Sequence, residues 1–462
     1  MAEVTKPLLL NETFADNMDS INGLLAVIAR EGAPAATDWE YLEELASDGV
    51  FSTMYDIGTT FSDTWRDKAT STDYTFPWML NHIEDVQLND GEVLKNRPWL
   101  QMKYAHPFGV QFSHQRAFTT VAFKATTALT SGTTYYWTRQ SDSKTISFKA
   151  PSAIGVGQWL GFNNSRIEIY DTSGNLVTTT AATVGTATTG TSLGNSPVMA
   201  TGDYYFTAGS SVISFTLASQ LGFGARLGYW SSKVYPITGD GKTIGTGLTV
   251  GTSTTGTNIG TLATNTRSTT GEFFINSSNE MNYGWNRWKT SALRQYLNST
   301  AAAGSWWTSQ DSFDIAPDQL TSKPGFLTGC TEAFLNNIKT IKVTTYPNTV
   351  QDDTGGNTPD ITYDKVFIPS LEQMYINPQK SGEGAYHERW KRQSGRTSPM
   401  ERSSTYPQII TYAVENHASP QSIRLRSANR GNACNAWHVD SSGNVSNGYA
   451  GYAIRFSPLV VL

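Results

Sequence analysis

Charge is scarce in this chain. Of 462 residues only 16% are Asp, Glu, Lys or Arg, and the balance is mildly negative, with a formal net charge of −5 and no basic run. That argues against nucleic acid as a partner, because phosphate recognition needs clustered cations. Cysteine occurs twice, as Cys330 and Cys434. The pair permits at most one disulfide, but neither residue sits in a CxxC or a metal-ligand spacing, and both thiols are expected to be unpaired. The six histidines are scattered, with no H-E-x-x-H and no paired spacing; His82, His106 and His114 read as structural rather than metal-binding. Long apolar runs are missing too. Leu459 to Leu462 is far too short to span a membrane, so no membrane insertion is expected. The first residues lack the basic segment and apolar core of a secretory leader. No residue pattern calls for a cofactor or metal.

What is abundant is Gly, Thr, Ser and aromatic side chains, the composition of a β-rich protein with many turns rather than a helical enzyme. The length allows two to four domains. The last stretch, Leu425 to Leu462, is the most informative. Trp437, Val439 and Val445 are apolar, whereas His438, Asp440, Ser446 and Tyr449 lie between or beside them. Period-two alternation predicts half-buried strands, and Ser441-Ser442-Gly443-Asn444 is hairpin chemistry. From Ser427 onward Lys, Glu, Gln and Met are absent. The presented positions hold Asn, Cys, His, Asp, Ser, Gly, Tyr and Ile, all reachable from an Asn codon by replacing its adenines.

These residues resemble a known family, the variable proteins of diversity-generating retroelements, often tail or receptor-binding proteins of gut bacteriophages. In that family adenine-directed mutagenesis rewrites Asn codons near the end of a C-type-lectin-like domain. The fixed positions of the pattern match Leu425, Arg426, Ser427, Ala428, Arg430, Ala436, Trp437, Val439, Ser441, Ser442, Gly443, Asn444, Val445, Arg455, Phe456 and Pro458. The resemblance implies a variable ligand-binding set at Asn429, Asn432, Cys434, Asn435, His438, Asp440, Ser446, Asn447, Gly448, Tyr449, Gly451, Tyr452 and Ile454. Arg426, Trp437, Val439, Val445, Arg455 and Phe456 would form its scaffold.

Taken in order, the chain opens with Phe14, Met18, Ile21, Leu25 and Ile28, an a/d seam predicting a short coiled-coil helix over Asn11 to Arg30. Residues 1–38 are therefore assigned to attachment and trimerisation. Residues 39–117 are aromatic and mixed, with a hairpin at Asn89-Asp90-Gly91. A tandem repeat follows. Tyr135-Tyr136-Trp137 returns as Tyr204-Tyr205-Phe206, Ile146-Ser147-Phe148 as Ile213-Ser214-Phe215, and Leu160-Gly161-Phe162 as Leu227-Gly228-Tyr229. The repeat predicts two β-modules, 118–196 and 197–265. Gly190-Thr191-Ser192-Leu193-Gly194 fits a nucleophile elbow, but the second copy has Asn258 in place of Ser192, and the setting is β-rich.

From 266 to 462 the order changes. A helix is expected over Asn286 to Asn298, a second around Thr331 to Ile338, a strand at Ile341 to Tyr346 and a short helix at Leu371. Arg287 to Asn298, Gly325 to Leu327, Val366 to Ser370 and Ile423 to Ser427 resemble motifs of C-type-lectin-like and formylglycine-generating-enzyme-like domains. The resemblance implies an α+β fold: a C-type-lectin-like domain split by two inserted all-β modules and preceded by a coiled-coil helix. It does not extend to the catalytic cysteines of the oxidases.

The functional expectation is a non-enzymatic, homotrimeric phage tail-fibre or tail-tip protein. It would be assembled in the host cytoplasm, joined to other tail proteins through its N-terminus, and would bind a host-cell receptor of protein or glycan nature. Two rivals are a glycan depolymerase, using carboxylates among Asp63, Asp67, Glu84 and Asp85, and a purely structural virion protein. Asp352-Asp353, in a Gly-rich loop, lacks EF-hand spacing and reads as solvated.

Overall fold

The computed structural model describes residues 37–462 apart from 164, 263–265, 271–272, 278–279 and 351–356. The expected coiled coil over Asn11 to Arg30 and the Asp352-Asp353 loop lie outside the described residues. Within them the α+β expectation is overturned: the chain is mostly β, 38% strand against 11% helix. The helices are short, the longest being the nine-residue Trp39–Ser47. None of them is long and apolar enough to cross a membrane.

Local chemistry explains the correction. The single helix expected over Asn286 to Asn298 is broken at Ser291, whose extended backbone (ψ 147) divides a 3-10 turn, Trp288–Thr290, from the helix Ala292–Leu297. The Ser291 hydroxyl instead accepts the Arg294 N–H at 3.1 Å and caps the second piece. The helix expected at Leu371 is a pair of tight turns ending at Tyr375, whose φ is +58°. Glu332–Asn337 forms as expected, capped by Thr331.

Strands β1 (Thr60–Asp67), β2 (Thr72–Gln87) and β3 (Val93–Met102) make an antiparallel meander. Gly91, at φ +94°, closes its second turn. Phe76, Trp78 and Leu80 alternate inward along β2, and Phe334 from the Glu332–Asn337 helix stacks on Trp78 at 4.9 Å.

The chain then leaves through β4 (Thr119–Val121) and β5 (Phe123–Lys124). The first module holds β6 to β11: Thr134–Thr138, Thr145–Lys149, Trp159–Asn163, Arg166–Tyr170, Leu176–Gly185 and Thr191–Asn195. The second holds β12 to β17: Gly202–Ala208, Ser211–Leu217, Arg226–Trp230, Lys233–Ile237, Leu248–Thr249 and Thr257–Leu262. The repeat in sequence is a repeat in pairing. In each copy the first strand runs antiparallel to the second and parallel to the last. Tyr135 faces Phe148 in one copy and Tyr204 faces Phe215 in the other. Each copy borrows a strand from the entering chain, β5 on β8 and β4 on β14. The chain returns through β18 (Thr266–Thr270) and β19 (Phe273–Ser277), and β19 pairs with β4, so exit and re-entry are neighbours.

A buried ionic cluster fastens the modules to the segment around Asp311. Arg116 meets Asp311 at 2.5 Å and Asp314 at 3.5 Å. Glu168 accepts the Ser312 N–H at 2.9 Å and the Tyr170 hydroxyl at 2.6 Å, and Arg226 donates to the Asp314 carbonyl.

The remaining strands are the hairpin β20 (Ile341–Thr345) and β21 (Asp360–Asp364), the short pair β22 (Thr411–Tyr412) and β23 (Pro420–Gln421), and a three-stranded sheet. That sheet is β24 (Ile423–Ala428), β25 (Asn435–Val439) and β26 (Val445–Tyr449), in that order, with β26 at an edge. Finally β27 (Leu459–Val461) returns to pair with β3, closing the first sheet.

Candidate functional site

The expected terminal hairpin is present. β25 pairs with β26 from Asn435↔Tyr449 to Val439↔Val445. Trp437, Val439 and Val445 are buried with Ile423 and Leu425 in one apolar cluster, as the alternation requires. The turn is built by Asp440. Its carboxylate accepts the Ser442 and Asn444 N–H groups at 2.8 and 2.9 Å and the Asn444 amide at 2.7 Å. Asp171-Thr172-Ser173-Gly174-Asn175 in the first module repeats this bonding, so the motif is a turn device. Asp440, expected among the presented positions, is therefore part of the scaffold.

Two further presented positions are corrected. Cys434 is buried, 2% exposed, with its Sγ 2.9 Å from the Asn432 Oδ1. Gly451 is buried against the Tyr283 carbonyl, which a Cβ would approach to 3.2 Å. In the other direction, Arg455, expected in the scaffold, is half-buried and pairs with Glu415 at 2.8 Å on the surface. Arg426 and Phe456 are buried as expected.

The other positions reach solvent, but from an edge rather than from one face. Cross-strand partners share a side, so Asn435, Asn447 and Tyr449 lie on the Trp437 side of the hairpin, and His438, Ser446 and Gly448 on the opposite side. Both groups converge on edge strand β26. The loops holding Asn429 and Asn432 before β25, and Tyr452 and Ile454 after β26, extend the same rim. Asn435 donates to Asn447 at 2.7 Å. Tyr449 stacks on Tyr283 at 4.0 Å and meets Tyr452 edge-on at 5.3 Å. Tyr452 is 56% exposed. Tyr283 had no signal in the sequence as a member of this group.

Two buried side chains missed in the sequence hold this rim. Asn286, 0% exposed, donates its amide to the carbonyls of Asn429 (3.1 Å), Asn432 (2.7 Å) and Asn435 (2.6 Å). Its own oxygen accepts from Asn348 at 3.1 Å, and its backbone N–H donates to Ala433 O at 2.9 Å. Arg424, 1% exposed, donates to the carbonyls of Ala436 (2.9 Å), Gly448 (3.0 Å), Tyr449 (2.8 Å) and Tyr452 (3.5 Å). Every bond that Asn286 and Arg424 donate to the rim ends on a backbone carbonyl. Burial and the nearby Arg424 charge hold His438 down at about 4, so its imidazole is neutral at physiological pH.

The carboxylates named for hydrolysis are dispersed among structural partners. Asp63 accepts from the Thr331 hydroxyl at 3.0 Å, while Asp67 pairs with Lys323 at 2.8 Å and Asp85 with Lys95 at 2.7 Å. Glu84 borders a separate cavity. His106 is packed among aromatic rings, His82 stacks on His387, and His114 meets Asp318 at 3.3 Å. Among the described residues no three His, Cys, Asp or Glu side chains are grouped to hold a metal ion.

Residues 264–458 match a family described as a domain of unknown function (DUF6273). The matched span begins where the β-modules end and includes the hairpin with both of its buried anchors. No curated protein and no solved structure matches the chain.

Proposed function

We propose that the edge strand β26 and its flanking loops form a diversified ligand-binding surface, displayed by a phage tail protein to attach to host cells. One observation carries this reading. Asn286 and Arg424 hold the rim by donating to its backbone carbonyls. Carbonyls are present whatever side chain follows them, so the rim keeps its course while Asn435, Ser446, Asn447, Tyr449, Tyr452 and Ile454 change; Asn429 and Asn432 instead brace their own loop, accepting the Gly431 and Cys434 N–H groups at 3.2 and 2.9 Å. Substitution away from such anchors costs within about ±0.5 kcal/mol. Tyr449 and Tyr452 supply contact area at low entropic cost, as in antibody loops. Several copies, joined through residues 1–38, would raise a weak single-site affinity by avidity.

The test is genetic. The DNA beside the coding sequence is expected to hold a reverse transcriptase and a near-copy of the segment for 425–458, with Asn codons at the variable positions. A terminal segment identical across many isolates, with no such near-copy, would overturn the proposal.

A further inference from the structure

β26 is the last strand of its sheet, and only half of its outer edge is covered. Alternate residues of an antiparallel strand bond to opposite sides. Even-numbered residues of the hairpin bond inward: the Asp440 N–H donates to the Asn444 carbonyl at 3.0 Å, and the Ala450 N–H to the Cys434 carbonyl at 2.8 Å. Val445 bonds outward. Its N–H donates to the Ser404 carbonyl at 2.9 Å and its carbonyl accepts the Ser403 N–H at 2.8 Å, so residues 403–405 lie along the turn half of β26 as an added strand. That cover ends there. Ser403 turns at φ +60°, and Met400 bonds to Tyr375 and Asn377 instead. Two residues beyond Val445, Asn447 therefore aims its N–H and C=O at the open edge, and no described residue answers either group. The Tyr449 N–H points the same way, while its carbonyl accepts the Tyr452 N–H at 3.1 Å.

The diversified residues indicate how this edge is approached. Asn435, Asn447 and Tyr449 lie on one side of the hairpin, and His438, Ser446 and Gly448 on the other. A ligand lying on either face meets one row only. A ligand aligned in the plane of the sheet, along the edge, meets both. An extended polypeptide does this, because its own side chains alternate between the two sides. Its main chain also carries the N–H and C=O that an open strand edge lacks. A glycan offers hydroxyls but no such backbone pair.

We propose that the open half of β26 takes its receptor as an added strand, so that the receptor is a protein presenting an extended segment. This rests on the attachment reading and narrows it. Main-chain bonds at Asn447 are the same in every permitted variant and supply affinity, while the two diversified rows choose among receptor sequences. Residues 403–405 already use the neighbouring half of the edge in this way.

The full chain is tested on bacterial isolates that it binds, after their surfaces have been treated with proteinase K or with periodate. Binding is expected to be lost after proteinase K and kept after periodate. Asn447→Pro removes the outward N–H at an edge position where proline is tolerated. It is expected to bind about tenfold more weakly than Asn447→Ser, which keeps that N–H, with the two melting temperatures alike. Should Asn447→Pro fail to fold, hydrogen exchange of the parent chain decides: on the envelope fraction of a bound isolate, exchange at the Asn447 and Tyr449 amides is expected to slow. Binding that survives proteinase K or is lost to periodate, equal binding by the two folded variants, or amides that do not slow would overturn strand addition and leave attachment standing. A parent chain that binds no isolate would overturn both.

Discussion

At the scale of single residues, Asn286 and Asp440 matter most to the candidate site, and the sequence disclosed them unequally. Asp440 stands in an Asp-x-Ser-Gly-Asn string that also occurs at Asp171, so its turn role was legible from internal comparison. Asn286 was hidden because the rim carbonyls it holds lie more than a hundred residues away and are backbone atoms, which leave no side-chain pattern. Asn286→Ala removes a donor from three part-buried carbonyls, of which those of Asn429 and Asn435 keep a backbone N–H partner, and is expected to cost about 1–3 kcal/mol in urea unfolding. Asp440→Ala is expected to lower the melting temperature, while Tyr452→Ser leaves it nearly unchanged; equal shifts would return Asp440 to the presented set. His438 adds a pH effect. Its folded value of about 4 lies below the ordinary 6.5, so the unfolded chain takes up a proton first as the medium is acidified. Its contribution therefore drains away as pH falls from about 6.5 to about 4. Melting curves of His438→Asn are expected to show a flatter pH slope across that window than the parent.

At the scale of elements, period-two alternation located the terminal hairpin because one side of it is buried, which fixes register. Trp437→Ala is expected to cost about 3–5 kcal/mol, since it removes an indole buried among Ile423, Leu425 and Val439; calorimetry checks the value. Alternation did not reveal that the presented set occupies both sides of an edge strand. That depends on which neighbour β26 lacks, a tertiary fact. The helix expected at Asn286 to Asn298 shows the opposite failure. Its apolar spacing is helical, and Trp288, Leu293 and Tyr296 are buried, but Ser291 gains more as a cap than as an interior residue.

At the scale of the whole molecule, the repeat was readable because each copy keeps the same strand pairings and aromatic partners. The way the modules are bound to the rest was not, since Arg116, Glu168 and Arg226 find their partners in a loop near Asp311 with no motif of its own. A shared ionic cluster predicts one cooperative unit. Differential scanning calorimetry is expected to show a single transition, and two well-separated transitions would mean that the modules unfold alone.

On the proposed function, side-chain identity at the rim varies while the backbone beneath it stays fixed. The most direct measurement exchanges Asn435, Ser446, Asn447, Tyr449 and Tyr452 together for other residues encoded by rewritten Asn codons. Melting temperature and binding to a panel of bacterial isolates are then recorded on the same proteins. The expected result is a changed set of bound isolates, with melting within a few degrees of the parent. Unchanged binding, or a collapse of the fold, would contradict it.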